Sequence, residues 1–241
     1  MSILFLFLIV FSFIIFPLLY IIYKPPACLI QLLTRRWPDV LFQLSIKQRI
    51  VALTIDDGPS PYTSAIQHIL DTSGAKATFF VIGSHIPGHE NILTNLILNN
   101  HELANHAVRD EPSRSLPTAE LISQIKCVES QVGAIYASLH RQAAQPRYFR
   151  PGSGFFSTSM RQVLRDLDYR LVLGNIYPHD AQISFWRLNA WHILSMVRPG
   201  GIIVCHDRKW TPSMLRTVLP ELKRRGYEVV TVTELLNAAE S

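Results

Sequence analysis

Short runs of apolar, β-favouring residues recur along the chain, separated by segments whose apolar positions follow a helical spacing. The runs are Val51 to Ile55, Ala77 to Ile82, Glu102 to Asn105, Arg147 to Phe149, Arg170 to Leu173, Ile202 to Cys205 and Glu228 to Val232. Helical spacing fills Pro61 to Thr72, Glu90 to Asn99, Thr118 to Leu139, Thr158 to Leu167, Arg187 to Val197 and Pro212 to Arg225. Strands and helices in alternation predict parallel βα units. Several of the seven runs are followed by charged or glycine-rich positions, which favours a distorted, incomplete (β/α)7 barrel over an open doubly wound sheet. In such a barrel the chemistry collects at the C-terminal strand ends.

The N-terminal stretch breaks the alternation. Ser2 to Tyr23 carries no charge, is dominated by Leu, Ile, Phe and Val, and is long enough to cross a ~30 Å hydrocarbon core as a helix. No basic segment precedes it, and Lys24-Pro25-Pro26 follows where a leader would have a small-residue cleavage site. Residues 1–24 are therefore expected to be a single-pass transmembrane anchor. Lys24, Arg35, Arg36, Lys47 and Arg49 all lie on its C-terminal side, which by the positive-inside rule alone would hold the rest of the chain in the cytoplasm. The chemistry considered below favours the opposite side, so the side stays open. Residues 25–48 read as a connector packed against the domain, and residues 49–241 as one α/β domain.

Composition narrows this picture in a few places. At 241 residues and 48% hydrophobic, the chain suffices for one sizeable packed domain. A net charge of +5 with 17% charged residues gives no support to nucleic-acid binding. Cys28, Cys127 and Cys205 are too far apart, and too few, for a disulfide framework or a thiolate metal site.

Candidate chemistry sits at four strand ends. The first run leads into Asp56-Asp57-Gly58-Pro59, where two adjacent carboxylates repel unless a cation offsets them. The third leads into His106 and Asp110, the fourth into Arg150-Pro151-Gly152-Ser153-Gly154, and the sixth into His206-Asp207. Singly, each matches a turn or a hydrogen-bonded rim residue. A barrel gathers all four ends on one rim, where acids and imidazole suit a metal, an arginine holds a carboxylate and a second imidazole moves protons.

At these residues the chain resembles the polysaccharide deacetylase family, the NodB-homology carbohydrate esterases that include chitin and peptidoglycan deacetylases, from about Ile50 to Leu236. Thr54-Ile55-Asp56-Asp57-Gly58-Pro59 is similar to the family's first motif, and Ala77 to Gly83 to its second strand. The resemblance implies Asp56 as catalytic base, Asp57 and His106 as metal ligands, and Arg150 as the arginine that holds the base. It implies Asp180 as the acid orienting a catalytic histidine, and His206 as that histidine and general acid. Pro151, Gly152 and Ser153 fall in the substrate and oxyanion loop, with the Ser153 N–H as oxyanion donor.

Three departures stand out. Asp110 replaces the second motif histidine, and either completes the ligand set or pairs at the surface with Arg109 or Arg114. Ser153 replaces a tyrosine, and Ala181 a tryptophan. The implied cofactor is a divalent metal, zinc first, with manganese, cobalt or nickel as the other ions; a second carboxylate ligand shifts preference toward harder ions. The implied reaction is metal-dependent hydrolysis of the N-acetyl amide of a chitin-, peptidoglycan- or related glycan, with release of acetate. Two other readings stay open: a membrane-anchored glycan-binding protein that has lost catalysis, and a deacetylase of a small or lipid-linked N-acetylated molecule. Oligomeric state is not legible in the sequence.

Overall fold

A computed structural model describes residues 11–143 and 147–240. Its strands are β1 (Val40–Leu41), β2 (Ile50–Gly58), β3 (Thr78–Val81), β4 (Glu102–Asn105), β5 (Arg147–Phe149), β6 (Tyr169–Val172), β7 (Ile202–His206) and β8 (Glu228–Val230). All pair in parallel in the order β1-β6-β5-β4-β3-β2-β7, and β8 joins β2. β2 has every residue but Ile50 buried. That burial on both faces explains why it reads as a continuous apolar run ending in acids rather than as a polar-apolar alternation.

One buried core cluster takes a residue from each strand: Leu41, Ala52, Phe80, Ala104, Tyr148, Val172, Ile202 and Val230. A shared interior of this kind is what curling a parallel sheet produces. The curl is incomplete. At the ends of the strand order, no ladder joins β1 to β7 among the described residues; isolated bridges close the gap, Gln43 just past β1 with Gly201 and Ile176 past β6 with Ile203. The parallel half-barrel thus agrees with the expected distorted barrel.

Helices cover the outside: α1 (Phe16–Tyr23), α2 (Ala27–Arg36), α3 (Thr63–Ser73), α4 (Glu90–Leu98), α5 (Thr118–Ser138), α6 (Thr158–Asp166), α7 (Trp186–Met196), α8 (Thr211–Arg224) and α9 (Val232–Glu240). The six expected helical stretches correspond to α3 through α8. Three elements were not foreseen. The connector holds α2 and β1, and buries Ile30 and Val40 in a cluster with Phe149 and Leu171. The last apolar run stops as a strand at Val230, and α9 begins at Val232.

The expected anchor from Ser2 to Tyr23 falls partly on residues 1–10, outside the described residues. What is described is a π-helical turn, Phe11–Ile15, running into α1. Among the described residues no single helix is long and apolar enough to cross a membrane. Phe11–Tyr23 and Ala27–Arg36 meet that length and composition only as a pair, bent by 65°. Pro25 and Pro26 lie at the break, where missing amide hydrogens and ring clashes stop a helix.

Strand register sets the level of the rim. Asp56 is the β-partner of His206, Val81 that of Asn105 and Asn105 that of Phe149. The residues that follow β4 and β5, His106 and Arg150, therefore leave the sheet together and beside Asp56.

Candidate active site

The rim encloses a cleft of about 570 Å³ lined by Asp56, Asp57, His106, Asp110, Arg150, Pro151, Ser153, Tyr177, His206 and Arg208, among others. Asp56 is buried near the C-terminal end of β2 and is held by Arg150, whose Nη1 lies 2.5 Å from Oδ1. Arg150 is itself fixed: Nη1 also donates to Thr54 Oγ1 at 2.7 Å, Nε donates to the Val172 carbonyl at 3.0 Å, and the guanidinium lies 4.1 Å over the Phe80 ring. A rigid cation in a low-dielectric wall keeps Asp56 in one orientation with its second oxygen toward the cleft.

Asp57 has a left-handed backbone, φ +68°, a conformation that costs a non-glycine residue of order 1–3 kcal/mol and is retained where the surroundings impose it. Its carboxylate faces two partners. His106 Nε2 lies 3.3 Å from Oδ1, and Arg208 Nη2 donates to Oδ2 at 2.6 Å. Burial alone would raise the Asp57 pKa, but the His106 hydrogen bond and the charges of His106, His206 and Arg208 hold the carboxyl well below its usual range. His106 donates from Nδ1 to the Arg150 carbonyl at 2.6 Å, which turns Nε2 to Asp57. Burial lowers the His106 pKa less than Asp57 and Asp56 raise it, so its net shift is upward.

Across the cleft, both oxygens of Asp180 serve His206. Oδ1 accepts from the ring Nδ1 at 2.8 Å and Oδ2 from the main-chain N–H at 2.8 Å. This arrangement fixes the tautomer and points Nε2 away from Asp180. Burial would lower the His206 pKa, yet Asp180 outweighs it and the imidazole is shifted upward. Asp180 is fully buried and stands behind the histidine rather than in the cleft.

The loop expected to hold the oxyanion follows β5. Ser153 is left-handed at φ +62°, and Gly152 donates its N–H to Ser113 Oγ at 2.9 Å. Gly152 has to be glycine: a Cβ there would stand 2.1 Å from the Glu111 carbonyl oxygen. The loop after β4 and the loop after β5 are therefore locked together.

Asp110 is exposed and makes no ion pair among the described residues; Arg109 instead approaches Glu111, at 4.0 Å. Four contributors escaped the sequence reading. Arg208 and Tyr177 line the cleft, the latter with its ring 5.7 Å from His206. Trp210 donates its indole N–H to the Asp180 carbonyl at 3.0 Å, next in sequence to Ala181, where the family has a tryptophan. Thr54 braces Arg150. Arg208 was legible as a cation on the β7 rim, two residues past His206; Thr54 opens the first-motif stretch, where nothing marks it as a brace, and Tyr177 and Trp210 carry no signal of their own.

The sequence profile of the family described as polysaccharide deacetylase matches residues 44–172, more than half of the chain. The chain belongs to the polysaccharide deacetylase family. A peptidoglycan-N-acetylglucosamine deacetylase of Bacillus cereus is 28% identical over 204 residues, 82% of this chain and 92% of that one. A chitooligosaccharide deacetylase of Bradyrhizobium is 26% identical over 204 residues, 78% of this chain and 90% of that one. Among solved structures, a CE4 family pseudoenzyme from Bacillus anthracis superposes with a TM-score of 0.74 at 23% identity, covering 82% of this chain and 68% of that one. At that identity the likeness speaks for the fold.

Deacetylases of this family are generally metal-dependent. The expected ligand set of Asp57, His106 and Asp110 is not assembled: among the described residues no group of three His, Cys, Asp or Glu side chains stands close enough to hold an ion. Asp57 and His106 stand 3.3 Å apart, and Asp110 lines the same cleft without closing a group of three on them. An aspartate side chain is shorter than the histidine it replaces, and the loop that carries it is pinned elsewhere. Gln124 accepts from the Val108 N–H and donates to Glu111 Oε1.

Proposed function

We propose that this protein hydrolyses the N-acetyl amide of an N-acetylglucosamine-type glycan and releases acetate. The observation that carries the reading is the pairing, across one cleft and in one strand register, of an arginine-held carboxylate with an aspartate-held imidazole. Asp56, held in place by Arg150, takes a proton from a water molecule as the water oxygen attacks the acetyl carbon. The carbonyl oxygen becomes an oxyanion beside the Ser153 N–H. His206, protonated and oriented by Asp180, gives its proton to the sugar nitrogen as the C–N bond breaks. The products are acetate and a free amine.

Asp56→Asn keeps the shape and removes the base. Acetate release from chitooligosaccharide or peptidoglycan fragments should fall by about 10²–10⁴-fold, the contribution of a positioned base, with glycan binding retained. Full activity in that variant would sink the assignment. A second reading, glycan binding without turnover, is favoured by the unassembled ligand set; the complete Asp180–His206 pair speaks against it.

The same proposal places the apolar N-terminal segment at a membrane, since Phe13, Phe16, Leu18 and Ile22 are exposed on the helix and its flanking turn. Exposed apolar area of that kind is stable against lipid.

A further inference from the structure

We infer that the Arg208 guanidinium takes, in this chain, the place of a metal ion, and that it is the cation that polarises the acetyl carbonyl. The catalytic half of this inference rests on the deacetylase reading; the metal half does not.

The charges come in two pairs. Asp56 faces Arg150, and Asp57 faces Arg208 at 2.6 Å. Both oxygens of Asp57 are thereby engaged, one by His106 Nε2 and one by Arg208. An ion bound between Asp57 and His106 would have to displace a guanidinium or sit beside it, dication next to cation, and repulsion at that distance is strong in a partly buried site. Removing Arg208 would still leave only two donors. Asp110 is held off by its own loop: the Val108 N–H is taken by Gln124, and the Glu111 carbonyl lies against Gly152 with no room for a Cβ. Asp110 thus lines the cleft from a tied loop without closing a three-donor group on Asp57 and His106 among the described residues.

Arg208 is also where an acyl oxygen can reach it. Its side chain is 30% exposed and lines the same cleft as Asp56, His106 and His206. Nη2 is fixed by Asp57, and Nη1 donates to the Asp207 carbonyl at a long 3.3 Å. The guanidinium has five N–H donors and stays charged across the working pH range, so hydrogen atoms remain for an oxyanion. In the step, water oxygen bonds to the acetyl carbon and Asp56 takes a proton. The carbonyl electron pair moves to the oxygen facing Arg208 and the Ser153 N–H, then returns as the C–N bond breaks and His206 protonates the nitrogen.

The experiment has two readouts on the full-length protein. In the first, zinc is titrated into chelator-treated protein against a chromophoric zinc indicator. The wild type should compete no better than an Asp57→Asn variant, whereas Asp110→His combined with Arg208→Ala should take up one zinc per chain. Stoichiometric zinc uptake by the wild type that is lost in His106→Ala would overturn the inference. The second readout is acetate release from an N-acetylated chitooligosaccharide in the presence of a chelator. Wild-type turnover should be unaffected. Arg208→Ala, folded by circular dichroism, should lose about 10²–10³-fold in kcat, the cost of one oxyanion donor, and Arg208→Lys should fall between the two. Chelator-sensitive turnover restored by zinc would also overturn it. If the wild type releases no acetate at all, the deacetylase reading fails, and the zinc titration still decides whether Arg208 excludes the ion.

Discussion

Both carboxylate oxygens of Asp180 are taken up by His206, one by the ring and one by the main chain, so a single residue sets the position and tautomer of the proposed general acid and raises its basicity. Its effect on pH dependence has a definite sign. In the proposed step His206 acts protonated, and its raised pKa, owed to Asp180 outweighing burial, keeps the acid form present to higher pH. Activity falls as pH rises through that value. Asp180→Asn removes the charge and keeps the volume, so the alkaline limb of the acetate-release profile should move to lower pH, and kcat should drop by about 10²–10⁴-fold. An unshifted alkaline limb would mean that Asp180 is only structural. Asp180 shows why residue roles are unevenly legible. Asp56 and His206 end apolar strands and stand out as charge in the wrong place, but Asp180 lies in coil, reached only by resemblance. Arg208 escapes the sequence because a metal is the expected counter-charge of Asp57, and a cation two residues beyond a histidine has no spacing rule to announce it.

At the scale of elements, the apolar runs were legible because burial on both faces leaves no polar positions to blur them. Two short pieces were not. β1 is too short to carry a pattern, and α9 was hidden because Glu228 to Val232 stays β-favouring past the point where the strand stops. Its start did have a marker, Thr231-Val232-Thr233-Glu234: the Thr231 N–H donates to Glu234 Oε2 at 2.8 Å and the Glu234 N–H to Thr231 Oγ1 at 3.2 Å, the reciprocal pattern of a capping box. Loop packing was invisible altogether, since the contact between Gly152 and Glu111 joins segments 41 residues apart. It yields a contrast between neighbouring glycines. Gly152→Ala drives a methyl into the Glu111 carbonyl, and should cost ~1–3 kcal/mol by overpacking and about 10²-fold in kcat through displacement of the oxyanion loop. Gly154→Ala meets nothing within 4 Å and carries only the penalty of its φ of +72°, about 1–2 kcal/mol. Denaturant melts with acetate-release rates would separate the two; equal rates in both variants would show that the loops are not coupled.

Across the whole molecule, the apolar N-terminal segment and the catalytic rim are joined by side chains. Tyr23, at the end of α1, stacks on His179 with ring centroids 4.9 Å apart and meets His192 edge-on at 4.7 Å. Its carbonyl accepts from His179 Nε2 at 3.1 Å. His179 adjoins Asp180, and Lys24 lies 4.9 Å over the Trp191 ring of α7. The apolar segment is thus docked on the loop that carries Asp180, and under the proposed membrane placement this would keep the cleft close to the bilayer. This predicts a substrate preference as well as a location. With phosphatidylglycerol–phosphatidylcholine vesicles, the full chain should sediment with lipid and a chain starting at Pro25 should stay in the supernatant. In the same vesicles the full chain should deacetylate a lipid-tethered N-acetylated chitooligosaccharide faster than the free oligosaccharide, because the tether raises the local concentration at the rim. The shortened chain should show no such preference. Sedimentation of the full chain without any preference for the tethered substrate would mean that the segment anchors the protein but does not set where its cleft works.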